Sequence, residues 1–316
     1  MNVSITGING FIGKRLIEHL IAINVNLKAL VRNNSSKSLD SKIEWVFGDL
    51  LSKESLHPLF NNCNVFINCA GEIKNKDLMF EINVESTKKL LDLAKKQYFD
   101  HGNKIHWIQL SSIGVYGMGK VGDYSIRQIT ESSPHSPDNF YEITKTISDE
   151  LILKAGLDGY ITYTLLRPSA VFARNMPNDS LRQLIRFVKS RLFFYIGDGK
   201  GIFNYIHVDD VCNAIIKFLF NDKAKNEIFN LSNDCIQEDV INSIAVLTGI
   251  RRPSLHINPA MLASAVDILE PFIKLPVTRS RIRALTSKNM YSFDKIEKML
   301  NFKPEYTLTE RIADLI

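Results

Sequence analysis

Cysteine is scarce in this chain: four in 316 residues, with no CxxC pair among Cys63, Cys69, Cys212 and Cys235. That spacing suggests no disulfide framework, and the sequence opens on an apolar strand without a signal-peptide pattern, so a reducing, cytoplasmic setting is expected. Long hydrophobic runs are missing too. Ala214 to Phe220 is too short to cross a bilayer, and Met261 to Val277 is interrupted by Asp267, Glu270 and Lys274, so no membrane span is expected. Nor does one sign of charge prevail. The 39 basic residues stand against 34 acidic ones, a formal +5. This argues against nucleic acid as a main partner and leaves a phosphate-bearing ligand compatible. His207-Val208-Asp209-Asp210 has no second cluster to complete a metal site, and an aspartate ahead of a helix over Val211 to Phe220 is a natural cap, so no metal is expected.

What is present is ordinary globular material, 45% hydrophobic and 23% charged, enough for one large domain or a large and a small one. Within it, Asn139 to Thr146 places Tyr141 and Lys145 four residues apart, on one face if the segment is helical. A cation beside a phenol lowers its pKa, so Tyr141 is expected to exchange a proton near neutral pH. Upstream, the apolar strand Asn2 to Ile5 runs into Thr6-Gly7-Ile8-Asn9-Gly10-Phe11-Ile12-Gly13 and then a helix-like segment from Lys14 to Ile23. Strand, glycine turn and helix N-terminus in that order suit a pyrophosphate, because the glycines remove Cβ atoms and the helix offers free N–H groups.

The second strand, Leu27 to Val31, ends on Arg32, where an acid would favour NAD; an arginine suits a 2′-phosphate and leans the cofactor toward NADP, with Lys37 as a second candidate. Ile43 to Phe47 and Asn64 to Asn68 read as further strands. The turns at their carboxyl ends, Gly48-Asp49-Leu50 and Cys69-Ala70-Gly71, are expected to line adenine and ribose, although Asp49 equally suits a cap. A long helix over Leu78 to Gln97 has Leu78, Ile82, Leu90, Leu91, Leu93 and Ala94 as its apolar positions. Asn83 within it either orders backbone near the site or is an exposed asparagine. A strand from Lys104 to Leu110 then delivers Ser111-Ser112 to the same crevice, where a hydroxyl can stabilise charge on a substrate oxygen.

TGINGFIG (6 to 13), GDL (48 to 50), NCAG (68 to 71), FEINVEST (80 to 87), QLSSIGVYG (109 to 117), YEITK (141 to 145), LRPSAVF (166 to 172) and IHVDDV (206 to 211) together resemble the extended branch of the short-chain dehydrogenase/reductase family, across essentially the whole chain. The resemblance implies an α/β fold with a Rossmann-type doubly wound parallel sheet over residues 1–167. A smaller substrate-binding α/β lobe is implied over residues 168–316, with segments returning to the main sheet. It implies Tyr141 as acid/base, Lys145 as the residue that lowers its pKa and holds the nicotinamide ribose, and Ser112 rather than Ser111 as the residue that orients the reacting oxygen. Pro168 and Val171 would border the nicotinamide. It also implies a homodimer through the helices at 78–97 and 140–155.

Two departures bear on the substrate. Family members acting on nucleoside-diphosphate sugars carry an arginine four residues before the histidine of IHVDDV, and Phe203 stands there; Arg174, Arg182, Arg279, Arg281 and Arg283 are substitutes to consider. Family dehydratases place Asp-Glu after the catalytic serine or threonine, whereas Ile113-Gly114 follow Ser112, so dehydration is not expected. The leading expectation is an NAD(P)-dependent 4-epimerase or 4-ketoreductase of a nucleoside-diphosphate sugar. The alternative is a reductase or dehydrogenase of an apolar ketone or alcohol, supported by Phe203. A cofactor-binding regulator without turnover is a third reading, which the intact Ser112, Tyr141 and Lys145 oppose. An amphipathic segment over Leu262 to Ile273 is a candidate substrate cover, partner surface or core helix.

Overall fold

The structure is a computed structural model that describes residues 1–32, 41–119, 122–269 and 278–316. Lys37 and the end of the amphipathic segment after Leu269 lie outside the described residues. Five strands open the chain, β1 (Asn2–Thr6), β2 (Asn26–Val31), β3 (Ile43–Phe47), β4 (Val65–Asn68) and β5 (Ile105–Leu110). They join Ile161–Pro168 and Glu227–Leu231 in a seven-stranded parallel sheet whose order is Glu227–Leu231, Ile161–Pro168, β5, β4, β1, β2, β3. The order reverses between β1 and β4, and such a switch point opens a crevice at the carboxyl ends of the strands.

Both faces of the sheet are covered, as parallel strands require. Alternation along the strands sends Val3, Ile5, Ile108 and Leu166 to one side. There they pack with Leu16 and Leu20 of α1 (Phe11–Ala22) and with Val211 and Ile215 of α6 (Val208–Leu219). Phe66, Trp107 and Leu165 go to the other side. They meet Leu90 and Ala94 of α3 (Ser86–His101) and Ile152 of α4 (Phe140–Leu157).

The helix expected over 78–97 runs further, as α2 (Lys76–Phe80), a π turn at Glu81–Glu85 and then α3. The wider turn shifts the phase of the apolar positions. As a result Met79 is buried while Leu78, expected on the packed face, is exposed.

The second half adds α5 (Ser180–Lys189) and α7 (Gln237–Leu247) around a separate cluster that includes Phe172, Ile185, Tyr195, Phe203 and Ile241, and α8 (Pro259–Leu269), whose Val266 packs in a smaller cluster with Ile196 and Ile282. The strand Glu227–Leu231 lies in the main sheet. The helix start at IHVDDV differs from expectation: it begins at Val208, and its N-cap is His207, whose Nδ1 accepts from Asp209 N–H at 3.3 Å. Asp210 instead holds the C-terminal tail, accepting from the backbone of Glu305 at 2.9 Å and Tyr306 at 3.2 Å. No described helix is long and apolar enough to cross a membrane.

Candidate active site

The glycine turn after β1 is shaped by backbone contact. Gly7 has φ +76°, and a Cβ there would lie 2.5 Å from Ala70 N; a Cβ on Gly13 would lie 2.2 Å from the Gly7 carbonyl. Only glycine lets the turn, the first turn of α1 and the loop after β4 close on one another. The N-cap of α1 is Gly10, which offers no side-chain cap, and the first turn carries no acid. The free N–H groups of that turn therefore face the crevice that Gly10, Phe11, Ile12 and Gly13 border, and the donor set fits the pyrophosphate of a dinucleotide.

One cavity of about 1380 Å³ runs from this turn into the second half of the chain. Cys69, Ala70 and Gly71 border it, with Ser112, Tyr141 and Lys145 further along and Pro168 and Val171 beside them. Other residues singled out from the sequence lie off the cavity wall. Gly7 underlies the turn. Arg32 is exposed after the end of β2, and Asp49 caps its own turn by accepting from Leu51 N–H at 2.8 Å, with Leu50 beside it. Asn83 is buried in the π turn. Its side chain accepts from Glu72 N–H at 2.8 Å, donates to the Glu72 carbonyl at 3.1 Å and donates to Thr144 Oγ1 at 3.0 Å. It thus ties the loop after β4 to the helix that carries the tyrosine and lysine.

The segment at 139–146 begins a helix because Asn139 caps it, accepting from Glu142 N–H at 3.1 Å. Tyr141 and Lys145 occupy its first two turns and share a face. Ser112 sits at the carboxyl side of β5, its hydroxyl accepting from Gly114 N–H at 3.0 Å and also hydrogen-bonded to Tyr141.

The electrostatics differ from the simple expectation. Burial pushes the Tyr141 phenol up to about 12; the Ser112 hydroxyl opposes the shift, and the Asp149 and Glu142 carboxylates add to it. Lys145 is buried and donates to the Leu110 carbonyl at 2.6 Å. Burial lowers its pKa, against the pull of Asp149 and Cys69. Its ammonium is engaged with the end of β5.

Several site residues escaped the sequence reading. Glu142 borders the cavity next to Tyr141, half-buried, its carboxyl pKa raised mainly by burial. Asp149 follows Lys145 by one helical turn and accepts from Ser111 Oγ at 2.8 Å and Arg167 Nε at 3.1 Å. Arg167 Nη1 donates to the Tyr116 hydroxyl at 2.8 Å, which donates to Asn230 Oδ1 at 2.9 Å. The four-residue spacing from Lys145 was a signal for Asp149; nothing in the sequence pairs it with Arg167. Further out, the wall is mostly apolar: Leu184, Phe187, Leu192, Phe193, Phe194, Ile196 and Ile202 line it together with Phe203, and Asn175, Asn178, Gln183 and Asn204 are among its polar members. Arg281 lines it too, whereas Arg182 donates to the Met176 carbonyl at 3.1 Å and Arg283 is paired with Asp138 at 3.1 Å.

Comparison with known proteins agrees with this fold. The mouse sterol-4-alpha-carboxylate 3-dehydrogenase, decarboxylating, is 22% identical over 332 residues, covering 98% of this chain and 88% of its own length. Sterol demethylase protein B of Methylococcus capsulatus is 25% identical over 284 residues, covering 86% of this chain and 82% of its own. Among solved structures, UDP-glucuronic acid 4-epimerase from Bacillus cereus in complex with NAD superposes with a TM-score of 0.74 at 18% identity, covering 100% of this chain and 97% of that one. The family model matching residues 3–232 is that of the NAD dependent epimerase/dehydratase family, and the chain belongs to that family.

Proposed function

We propose that this chain is an NAD(P)-dependent oxidoreductase acting on a secondary alcohol or ketone carried by a bulky apolar molecule. The observation that carries this reading is the apolar far wall of the cavity, with Phe203 buried in it where a diphosphate-binding arginine would stand. At about 1380 Å³ the cavity exceeds the roughly 300–1,000 Å³ of a pocket for one drug-sized ligand, and so has room for a second molecule beside a dinucleotide. The names of the sterol-acting relatives support the same substrate class. The nucleotide-sugar reading, first on sequence grounds, has in its favour Arg281 and the polar Asn175, Asn178 and Asn204 in the cavity wall.

A nicotinamide dinucleotide, which the glycine turn with Gly10, Phe11, Ile12 and Gly13 would hold, would supply or accept a hydride at the substrate carbon. Ser112 donates a hydrogen bond to the substrate oxygen and keeps it beside Tyr141. In ketone reduction Tyr141 gives its proton to the oxygen as charge develops there. Lys145, fixed at the end of β5, orients the ribose. In alcohol oxidation the same groups work in reverse, and Tyr141 must first lose its proton.

The test is a substrate panel of apolar ketones and alcohols, sterols included, set beside UDP-, GDP- and dTDP-sugars, with thermal shift as the first readout. Stabilisation by apolar compounds and by no sugar nucleotide supports the reading. Stabilisation by a sugar nucleotide alone removes it.

A further inference from the structure

Helix α8 is apolar on two sides. Leu262, Ala263 and Val266 face inward and pack with Phe194, Ile196 and Ile282, so α8 backs the cavity wall that Phe194 and Ile196 form. Met261, Ala265 and Ile268, at helical spacing, make the outward face. Met261 is 72% exposed and Ile268 67%. A helix that buries one stripe ordinarily turns a polar one to water. Here the polar groups on that side are Ser264 and Asp267, and the Asp267 carboxylate is tied to Arg279.

The surroundings continue the face. His256–Ile257 pairs in parallel with Tyr195–Ile196, and Tyr195 N–H donates to the Leu255 carbonyl at 2.8 Å, which brings exposed Leu255 next to the segment that follows exposed Leu192. Leu192 and Phe187, exposed as well, border the mouth of the cavity. The unpaired charge within segments 179–192 and 246–268 is positive: Lys189, Arg191, Arg251 and Arg252 are exposed and form no ion pair with another described residue, while Arg252 also borders a groove that contains Glu310. Asp179 and Asp267, the acids of residues 179–192 and 246–268, are already paired with arginines.

We propose that α8, with the flanking segments 186–192 and 251–255, is a docking surface for an anionic lipid bilayer. An apolar helix face with cations at its edge lies in the interfacial plane of a membrane, where apolar burial and attraction to anionic headgroups act together. A second copy of the chain fits less well, because a twofold contact through the same face would bring the four cations toward their own copies. Docked in this way, the cavity mouth at Phe187 and Leu192 opens toward the acyl region, from which an apolar substrate can enter. The surface is independent of the reaction, so its test needs no substrate.

The experiment is co-flotation of the full chain with vesicles of phosphatidylcholine alone and of phosphatidylcholine with phosphatidylglycerol. It compares wild type with a Met261→Glu, Ile268→Glu variant and an Arg251→Glu, Arg252→Glu variant, with thermal unfolding confirming that each is folded. The expected result is flotation with the anionic vesicles, reduced roughly tenfold in each variant and weakened by salt. No flotation of the wild type overturns the proposal, as does flotation that the apolar-face variant leaves intact. A concentration-dependent dimer that Met261→Glu, Ile268→Glu abolishes, without vesicle binding, assigns the face to a second copy and likewise overturns it.

Discussion

The Asp149 carboxylate lies 3.1 Å from the Arg167 guanidinium, and both side chains are wholly buried behind the site. Asp149 Oδ1 and Arg167 Nη2 have no hydrogen-bond partner, so the two charges depend on one another. Removing one partner strands the other. Asp149→Asn is expected to lower stability by roughly 3–5 kcal/mol in urea denaturation, whereas Asp149→Leu combined with Arg167→Met costs less than the sum of the single changes. Additive losses would show that the pair is not coupled.

His106 gives a pH signature. It is buried between Thr162 Oγ1 at 3.0 Å and Thr164 Oγ1 at 3.2 Å. Burial lowers its pKa from 6.5 to about 4. The folded state binds that proton less readily than the unfolded one, so the contribution to stability is full above the unfolded value. It is lost as pH falls through the window down to about 4, at about 1.4 kcal/mol per pH unit. Denaturation midpoints measured across this window should slope in wild type and flatten in His106→Gln.

Phe203 should govern substrate binding rather than chemistry. It is buried, its ring 6.1 Å from that of Tyr205, and it lines the apolar wall. Phe203→Ala is expected to raise KM for an apolar substrate roughly tenfold with kcat little changed, and to cost about 3 kcal/mol of stability. A fall in kcat at constant KM would place its action at the reacting atoms instead.

Arg32 is exposed at the end of β2, where a 2′-phosphate would meet it. Fluorescence titration of Arg32→Ala should weaken NADPH binding by roughly tenfold and leave NADH binding unchanged. Equal effects on both cofactors would remove the preference.

The glycine turn between strand and helix, the Tyr141–Lys145 pair on one helix face and a hydroxyl at a strand end were legible in short spacings, whereas the doubly wound sheet and the choice of Ser112 came from the family resemblance. What escaped depends on long-range burial. The π turn at 81–85 changed which face of the helix was packed and put Leu78 in water. The Tyr141 phenol rises because burial outweighs its hydrogen bond from Ser112, and no local spacing carries that balance. Arg167 looked like part of a strand-end motif, and its partner lies 18 residues earlier on another element. The apolar-substrate alternative rested on Phe203 alone in the sequence, because the rest of the wall comes together only when residues from 184 to 203 fold around one cavity.

The most direct test of the account is the change in reduced-nicotinamide absorbance during turnover of the apolar alcohol or ketone that the thermal-shift panel selects, in wild type and in Tyr141→Phe. The account predicts substrate-dependent oxidation or reduction of the cofactor in wild type, a drop of roughly 10²–10⁴-fold in kcat for Tyr141→Phe, and unchanged cofactor affinity. Equal turnover in the two proteins, or turnover confined to nucleotide sugars, would contradict it.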